Sequence, residues 1–249
     1  RLTCIQYDTV SKSTDNGSTW SYSNSGYSGV TRGVASVLND NTAFAWDTTN
    51  ANRYLICGAD YGARITTDGT TFRPLHDFYS AVSGRKSVLC GAIQPGGNVV
   101  IIAVGDRGTQ NLQRSTNTGS TTPVFTIVNP AIKEYDCIFF NGSDTTIIYA
   151  GNQKSTDSGA TWATVTSTYK ISAVHPTNGN IVYYARLRSG GTATIHRSSD
   201  AGITWSEPFA NITTAPSGGT WGQFAVDPND IDRCYLGMRG GGITIIDTG

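Results

Sequence analysis

One short turn, written six times with small variations, constrains this chain more than any other feature. It reads STDNGSTW at 13–20, STDSGATW at 155–162 and SSDAGITW at 198–205. A shorter form, TTDGTTF, lies at 66–72, and an asparagine form, STNTGST, lies at 115–121. The last residues, IIDTG (245–249), match only its first half. The central Asp or Asn falls at 15, 68, 117, 157, 200 and 247, so successive copies stand 53, 49, 40, 43 and 47 residues apart. In each copy the carboxylate or amide can accept bonds from amides just ahead of it, and glycine supplies the positive φ of a tight turn. The flanking Ser/Thr and Thr-Trp pairs favour extended backbone. Each copy therefore predicts strand, braced turn, strand. Trp20, Trp162, Trp205 and Phe72 are expected to pack between neighbouring sheets.

A second pattern runs in phase with the first. FAWDTTNANRYLICGA (44–59), SAVHPTNGNIVYYAR (172–186) and FAVDPNDIDRCYLGM (224–238) share an apolar strand, a Pro/Asn/Asp turn and a Tyr-bearing strand. IFFNGSDTTIIYAGN (138–152) is a looser copy. No run has a sustained helical period. Four short strands per repeat predict an all-β fold, a β-propeller of four-stranded antiparallel blades. Residues 33–78, 83–128, 134–167 and 170–210 read as full blades, and 1–24 and 221–249 as partial ones. The expected count is about six, with five if the two ends complete one blade, and seven as the upper bound. Residues 1–249 are expected to form a single propeller domain of a longer chain.

The repeated turn resembles the Asp box, or BNR repeat, of sialidases, family 74 glycoside hydrolases (xyloglucanases), sortilin-type receptors and photosystem II assembly factors. In those families the turn lies on the face away from the ligand. The resemblance thus implies a structural role for Asp15, Gly17, Trp20, Asp68, Phe72, Asn117, Asp157, Gly159, Trp162, Asp200, Gly202 and Trp205.

Lys plus Arg and Asp plus Glu each number 18, so the formal charge is zero and nothing favours nucleic acid or an anionic membrane. Only 14% of residues are charged. A surface rich in hydroxyls and amides predicts an extracellular or virion-exposed protein. No apolar run approaches the ~18–20 residues of a membrane span. Cys4, Cys57, Cys90, Cys137 and Cys234 each sit in an apolar strand without metal-ligand spacing, so they are expected to be buried free thiols. No metal or other cofactor is expected.

In a propeller the loops joining second to third strands gather at the end opposite the repeated turn. That end is expected to carry Asp60, Tyr61, Asp106, Arg107, Gln110, Gln153, Arg186, Arg188, Arg239 and Trp221. Aromatic, amide and arginine side chains together suit a glycan or a protein partner. Other subunits of a particle or fibre are further candidate partners.

Catalysis finds less support. Resemblance to sialidases would require an arginine triad, a nucleophilic tyrosine and a paired glutamate, but Glu134 and Glu207 are the only glutamates and the early Arg-Ile-Pro motif is missing. GADYGARITTDGTTF (58–72) and TWGQFAVDPNDIDRCYLGMRGGGI (220–243) are similar to xyloglucanase segments, with Asp60 at the aspartate position. Glycoside hydrolysis needs two carboxyl groups flanking the bond, and Asp60 with Asp106 is the pair at equivalent loop positions. The xyloglucanases, however, draw their two aspartates from two propellers. His76, His175 and His196 lie in no nucleophile motif, and His175 stands where sister repeats have aspartate. The sequence thus points first to a non-catalytic recognition module, as in phage tail or adhesion proteins. A xyloglucanase-type hydrolase or part of one comes second, and an assembly-factor scaffold third.

Overall fold

The structure, a computed structural model, describes residues 2–6, 9–22, 44–58, 62–76, 87–106, 109–132, 137–165, 171–187, 193–206, 210–212, 220–239 and 242–248. The regular elements among them are all strands. They build six antiparallel sheets, each a meander in chain order. Four sheets have four strands and two, one from each end of the chain, have three. The sequence prediction of about six four-stranded blades therefore meets four full blades and two partial sheets.

Two compact units divide the chain, one of Arg1–Val37 with Thr42–Glu134, the other including Tyr135–Gly249. The first unit holds β1 (Leu2–Gln6), β2 (Thr9–Ser13) and β3 (Ser21–Tyr22) as one sheet. Its second sheet is β4 (Phe44–Asp47), β5 (Asn50–Gly58), β6 (Gly62–Thr66) and β7 (Phe72–His76). Its third is β8 (Ser87–Ile93), β9 (Val100–Asp106), β10 (Thr109–Ser115) and β11 (Thr126–Ile132).

The run Tyr54-Leu55-Ile56-Cys57 is buried on both faces of β5. A strand covered on both sides reads as continuous apolar sequence rather than as an alternation. Leu55 and Cys57 join Ala63, Ile65 and Leu75 against Val88, Val100, Ile102 and Val104 of the next sheet. Tyr54 and Ile56 point the other way, into a cluster with Phe72, Phe44 and Trp46. Lys12 of β2 places its ammonium 5.9 Å from the centre of the Tyr54 ring. The sheets approach so closely that a Cβ on Gly91 would lie 2.7 Å from Leu55 Cδ2 and 3.0 Å from Cys57 Sγ.

The second unit repeats the plan. Its sheets are β12 (Ile138–Phe140), β13 (Ile148–Ala150), β14 (Gln153–Ser155) and β15 (Ala163–Thr164), then β16 (Ala173–Val174), β17 (Val182–Leu187), β18 (Ala193–Ser198) and β19 (Ala210–Ile212). The last is β20 (Thr220–Val226), β21 (Arg233–Arg239) and β22 (Gly242–Asp247). Val182 faces back to Tyr149, while Tyr183 faces forward to Phe224, Cys234 and Leu236. The phenols stitch sheet to sheet. Tyr149 donates to Gly179 O at 3.2 Å and Tyr183 to Ile231 O at 2.7 Å, each reaching the turn of the following sheet. Cys57, Cys90, Cys137 and Cys234 are buried. Cys4 lies in β1.

The repeated turn has one geometry in its three full copies. Ser13, Ser155 and Ser198 each donate from Oγ to the aspartate two residues on, at 2.7 to 2.8 Å. The same oxygens accept the N–H of Gly17, Gly159 and Gly202 at 2.7 to 2.9 Å. Asp15, Asp157 and Asp200 then accept the N–H of Thr19, Thr161 and Thr204, each at 2.8 Å. Gly159 sits at φ 84°, beside Ser158 at φ 58°. A left-handed pair of this kind costs free energy for any residue but glycine, and the buried serine hydroxyl holds it in place.

The aromatic that ends the turn packs unequally from copy to copy: Phe72 and Trp205 join clusters between sheets, and Trp20 does not. Trp20, Trp162 and Trp205 each fold back so that Nε1 donates to the glycine carbonyl of their own turn, at 3.0 to 3.1 Å. Trp20 remains 46% exposed, whereas Phe72, in the shorter copy, is 3% exposed. Trp162 and Trp205 are half-buried. Phe72 therefore fills the core, and Trp20 caps its own turn because an indole N–H gains a local acceptor that phenylalanine cannot use.

The last copy also departs from the pattern. Ile245 stands where the other copies have the hydroxyl, and it is 62% exposed. The serine bonds cannot form there. Asp247 instead accepts Arg233 Nε at 3.0 Å and Nη2 at 2.6 Å.

Candidate functional site

Antiparallel register sorts the loops of each of the five sheets from β4 onward to two ends. The hairpin tips between second and third strands point one way, and the first-to-second and third-to-fourth turns point the other. At the tips the pairing closes with Gly58 opposite Gly62, Asp106 opposite Thr109, Ala150 opposite Gln153, Leu187 opposite Ala193 and Met238 opposite Gly242.

The sequence-predicted ligand residues belong to these tips. Asp106 ends β9 and Gln110 is second in β10. Gln153 opens β14, Arg186 is next to last in β17, and Arg239 ends β21. Trp221 in β20 pairs with Met238 near the β21–β22 tip. Asp60 and Tyr61 fall between β5 and β6, Arg107 between β9 and β10, and Arg188 between β17 and β18. These four lie outside the described residues. The first unit thus carries Asp60, Tyr61, Asp106, Arg107 and Gln110, and the second carries the other five.

The opposite ends of the sheets are polar and laced with hydrogen bonds. Sequence reasoning singled out the third-to-fourth turns there. It gave no roles to the first-to-second turns, although a Pro/Asn/Asp signal in phase marked them. Asp47 Oδ1 accepts Thr49 N–H at 2.9 Å and reaches the next sheet at Gly96 N–H, 3.0 Å, while Oδ2 pairs with Arg53 at 2.9 Å. Asn141 Oδ1 accepts Ser143 N–H at 2.8 Å, and Asp227 Oδ1 accepts Asn229 N–H at 2.9 Å. His175 takes the same place in β16–β17. Gly142 and Gly179 let adjacent turns touch: a Cβ on Gly142 would fall 1.9 Å from Pro176 O.

These bonds set the charge state of the carboxylates. The Thr161 hydroxyl, then the Thr161 and Ser155 donors, hold Asp157 down to about 2. Asp200 is held to about 2 first by the Thr204 hydroxyl, and Asp15 to about 2 first by that of Thr19. Backbone N–H groups of Thr71 and Thr70 lower Asp68. Burial alone would raise Asp47, but the Thr49, Gly96 and Arg53 donors outweigh it and the net shift is downward. A general acid in glycoside hydrolysis needs the reverse, a carboxyl kept protonated near neutrality. Asp15, Asp47, Asp68, Asp157 and Asp200 are therefore ionised turn braces and cannot be proton donors. Among the described residues, no three His, Cys, Asp or Glu side chains cluster to hold a metal ion.

Repeated four-stranded meanders packed face to face within each unit have counterparts among solved structures. The GH74 enzyme of Niastella koreensis superposes with a TM-score of 0.67 at 18% identity, over 95% of this chain and 40% of its own. The fold is a β-propeller. An ancestral GH74 enzyme matches with a TM-score of 0.61 at 19% identity, over 96% of this chain and 35% of its own. YCF48 from Cyanidioschyzon merolae matches with a TM-score of 0.56 at 15% identity, over 96% of this chain and 74% of its own. This propeller thus spans well under half of those GH74 chains and about three quarters of YCF48. No protein-family model and no curated protein matches the chain.

Proposed function

We propose that this propeller is a non-catalytic recognition module that engages a glycan or a protein segment at the tips of its second-to-third-strand hairpins. The observation that carries the reading is the division of labour between the two ends of each sheet. At one end every aspartate brace is bonded to its own or a neighbouring turn. At the other the chain order puts Asp106, Gln110, Gln153, Arg186, Trp221 and Arg239 in strands that end at the hairpin tips, and aromatic, amide and arginine groups together suit a glycan or a protein segment. The neutral, hydroxyl-rich composition favours a module of a larger extracellular or virion protein, such as a phage tail or adhesion protein, with neighbouring particle subunits as further partners.

Two observations favour other readings. The GADYGAR segment and the GH74 likeness favour a xyloglucanase-type hydrolase or part of one, with Asp60 and Asp106 as the carboxyl pair. The larger share of YCF48 covered favours an assembly-factor scaffold with a protein partner.

A glycan array and a polysaccharide-depolymerisation assay on the purified chain, beside Asp60→Asn and Asp106→Asn, separate the three. Binding without cleavage, lost in Tyr61→Ala or Arg188→Ala at unchanged melting temperature, is the expected result. Release of oligosaccharide that both aspartate variants abolish makes the protein a hydrolase. Silence in both assays leaves a protein partner, to be sought with the Arg186, Arg188 and Arg239 variants as controls.

A further inference from the structure

Asparagine followed by glycine is the dipeptide that loses its side-chain amide most readily, because glycine has no Cβ to keep its nitrogen from the asparagine Cγ. The chain holds three such pairs, in Asn16-Gly17-Ser18, Asn141-Gly142-Ser143 and Asn178-Gly179-Asn180. The local sequences are nearly alike, so any difference in reactivity comes from the fold. Asn141 is 3% exposed, and its Oδ1 accepts Ser143 N–H at 2.8 Å, the Ser143 hydroxyl at 2.9 Å and Asp144 N–H at 3.2 Å. Asn178 is exposed, but Gly179 is buried and clamped by the preceding sheet. The Gly179 N–H donates to Ser143 Oγ at 2.9 Å, its carbonyl accepts the Tyr149 hydroxyl at 3.2 Å, and a Cβ on it would lie 1.7 Å from Asn141 Nδ2.

Asn16 lies in the braced turn between β2 and β3. It is exposed, as are Asp15, Ser18 and Thr19 around it. Its φ is 56°, and Gly17 follows at φ 94°. The sister turns place Ser158 and Ala201 at this left-handed position, and neither side chain carries an amide. The Gly17 nitrogen, the atom that would attack, donates its proton to Ser13 Oγ at 2.7 Å, and Ser13 is 1% exposed. The bonds that fix this turn join Ser13, Asp15, Gly17, Thr19 and Trp20 to one another. Opening it therefore needs no separation of sheets, and local opening of an exposed turn costs far less than global unfolding.

We propose that Asn16 is a site of spontaneous deamidation whose rate is set by the bond from Gly17 N–H to Ser13 Oγ. When the turn opens, the Gly17 nitrogen loses its proton to solvent and attacks Asn16 Cγ. The Cγ–Nδ2 bond breaks, and the amide nitrogen takes up a proton and leaves as ammonia. Water then opens the five-membered imide at either carbonyl. One opening gives aspartate, and the other gives isoaspartate, whose main chain runs through Cγ and is one carbon longer. The balance is one water consumed and one ammonia released. Either product puts a new carboxylate beside that of Asp15. The longer main chain of isoaspartate also shifts Gly17, so that its N–H leaves Ser13 and its carbonyl leaves the Trp20 indole N–H, now at 3.0 Å. The modification therefore loosens the hairpin that pairs Ser11 with Tyr22 and Lys12 with Ser21.

The test incubates the full chain in mildly alkaline buffer and follows each Asn–Gly peptide by mass spectrometry, where deamidation adds one mass unit. Isoaspartate is counted by enzymatic methylation. In the wild type Asn16 is expected to react before Asn178 and Asn141. Ser13→Ala is expected to speed the reaction at Asn16 by about tenfold, the factor that loss of one hydrogen bond implies, and to leave Asn178 unchanged. Asn16→Ser, which copies the sister turn at Ser158, is expected to abolish the early product. The proposal is overturned if Asn178 or Asn141 reacts first, if no Asn16 product forms, or if Ser13→Ala leaves the Asn16 rate unchanged or raises all three rates together. If Ser13→Ala does not fold, the wild type decides. Its three rates must differ in the native chain and converge in denaturant, and equal rates in both conditions sink the site.

Discussion

Ser155 is buried at 1% exposure and serves three partners: it donates to Asp157 at 2.8 Å and accepts the N–H groups of Gly159 at 2.8 Å and Asp157 at 3.3 Å. Ser155→Ala leaves a buried glycine N–H without an acceptor, and denaturant melts should show a loss of about 1–3 kcal/mol. Phe72→Ala should cost more, about 3–5 kcal/mol, because a fully enclosed ring leaves a cavity. Trp20→Ala should cost distinctly less, since nearly half of that side chain already meets water. The order Phe72 above Trp20 is the checkable outcome; the reverse order would place the tryptophan in the core. The carboxylates predict a pH response. Asp157 and Asp200 are held to about 2 in the fold, against ~3.9 in an unfolded chain. Their contribution is present above about pH 4 and is lost as pH falls toward 2. A carboxyl titration by NMR should find both protonating near pH 2, and midpoints near 4 would mean the turn bonds are not made.

Sheets in this protein are held face to face by both apolar contact and directed bonds. Gly91 belongs to the first kind. Gly91→Ala pushes a methyl into Leu55 and Cys57, and overpacking of this sort costs about 1–3 kcal/mol. Tyr183 belongs to the second. Its hydroxyl bond to Ile231 O crosses to the next sheet, and Tyr183→Phe should lose about 1 kcal/mol in thermal or denaturant unfolding while leaving the β-sheet circular dichroism unchanged. At this scale the repeat period alone predicted four strands per unit, and the β4–β7, β8–β11, β12–β15 and β16–β19 sheets have them. The end sheets show why pattern matching stops short. IIDTG keeps the Asp and Gly of the turn, but Ile245 has no oxygen to brace them, so Asp247 pairs with Arg233 across β21–β22 instead.

Across the molecule, Cys57, Cys90, Cys137 and Cys234 are buried, Cys57 and Cys234 within the packing between sheets. Burial pushes the Cys234 thiol up to about 12. Thiol reagents at pH 8 should therefore label the native protein slowly at Cys57, Cys90, Cys137 and Cys234, at a rate that rises with denaturant in step with global unfolding. Fast labelling of any of them without denaturant would show that its sheet opens locally.

The sequence by itself determined the strand repeat and the positions of the braced turns. These follow from local chemistry, because a hydroxyl, a carboxylate and a glycine within five residues close a turn whatever surrounds them. Tertiary structure alone decided which aromatic is core, as Phe72 is and Trp20 is not. It also decided which turns bind their neighbours through Asp47, Ser143 and Thr177. Those outcomes depend on how closely one sheet lies against the next, a distance set by residues more than thirty positions away in sequence, as Gly142 against Pro176 shows.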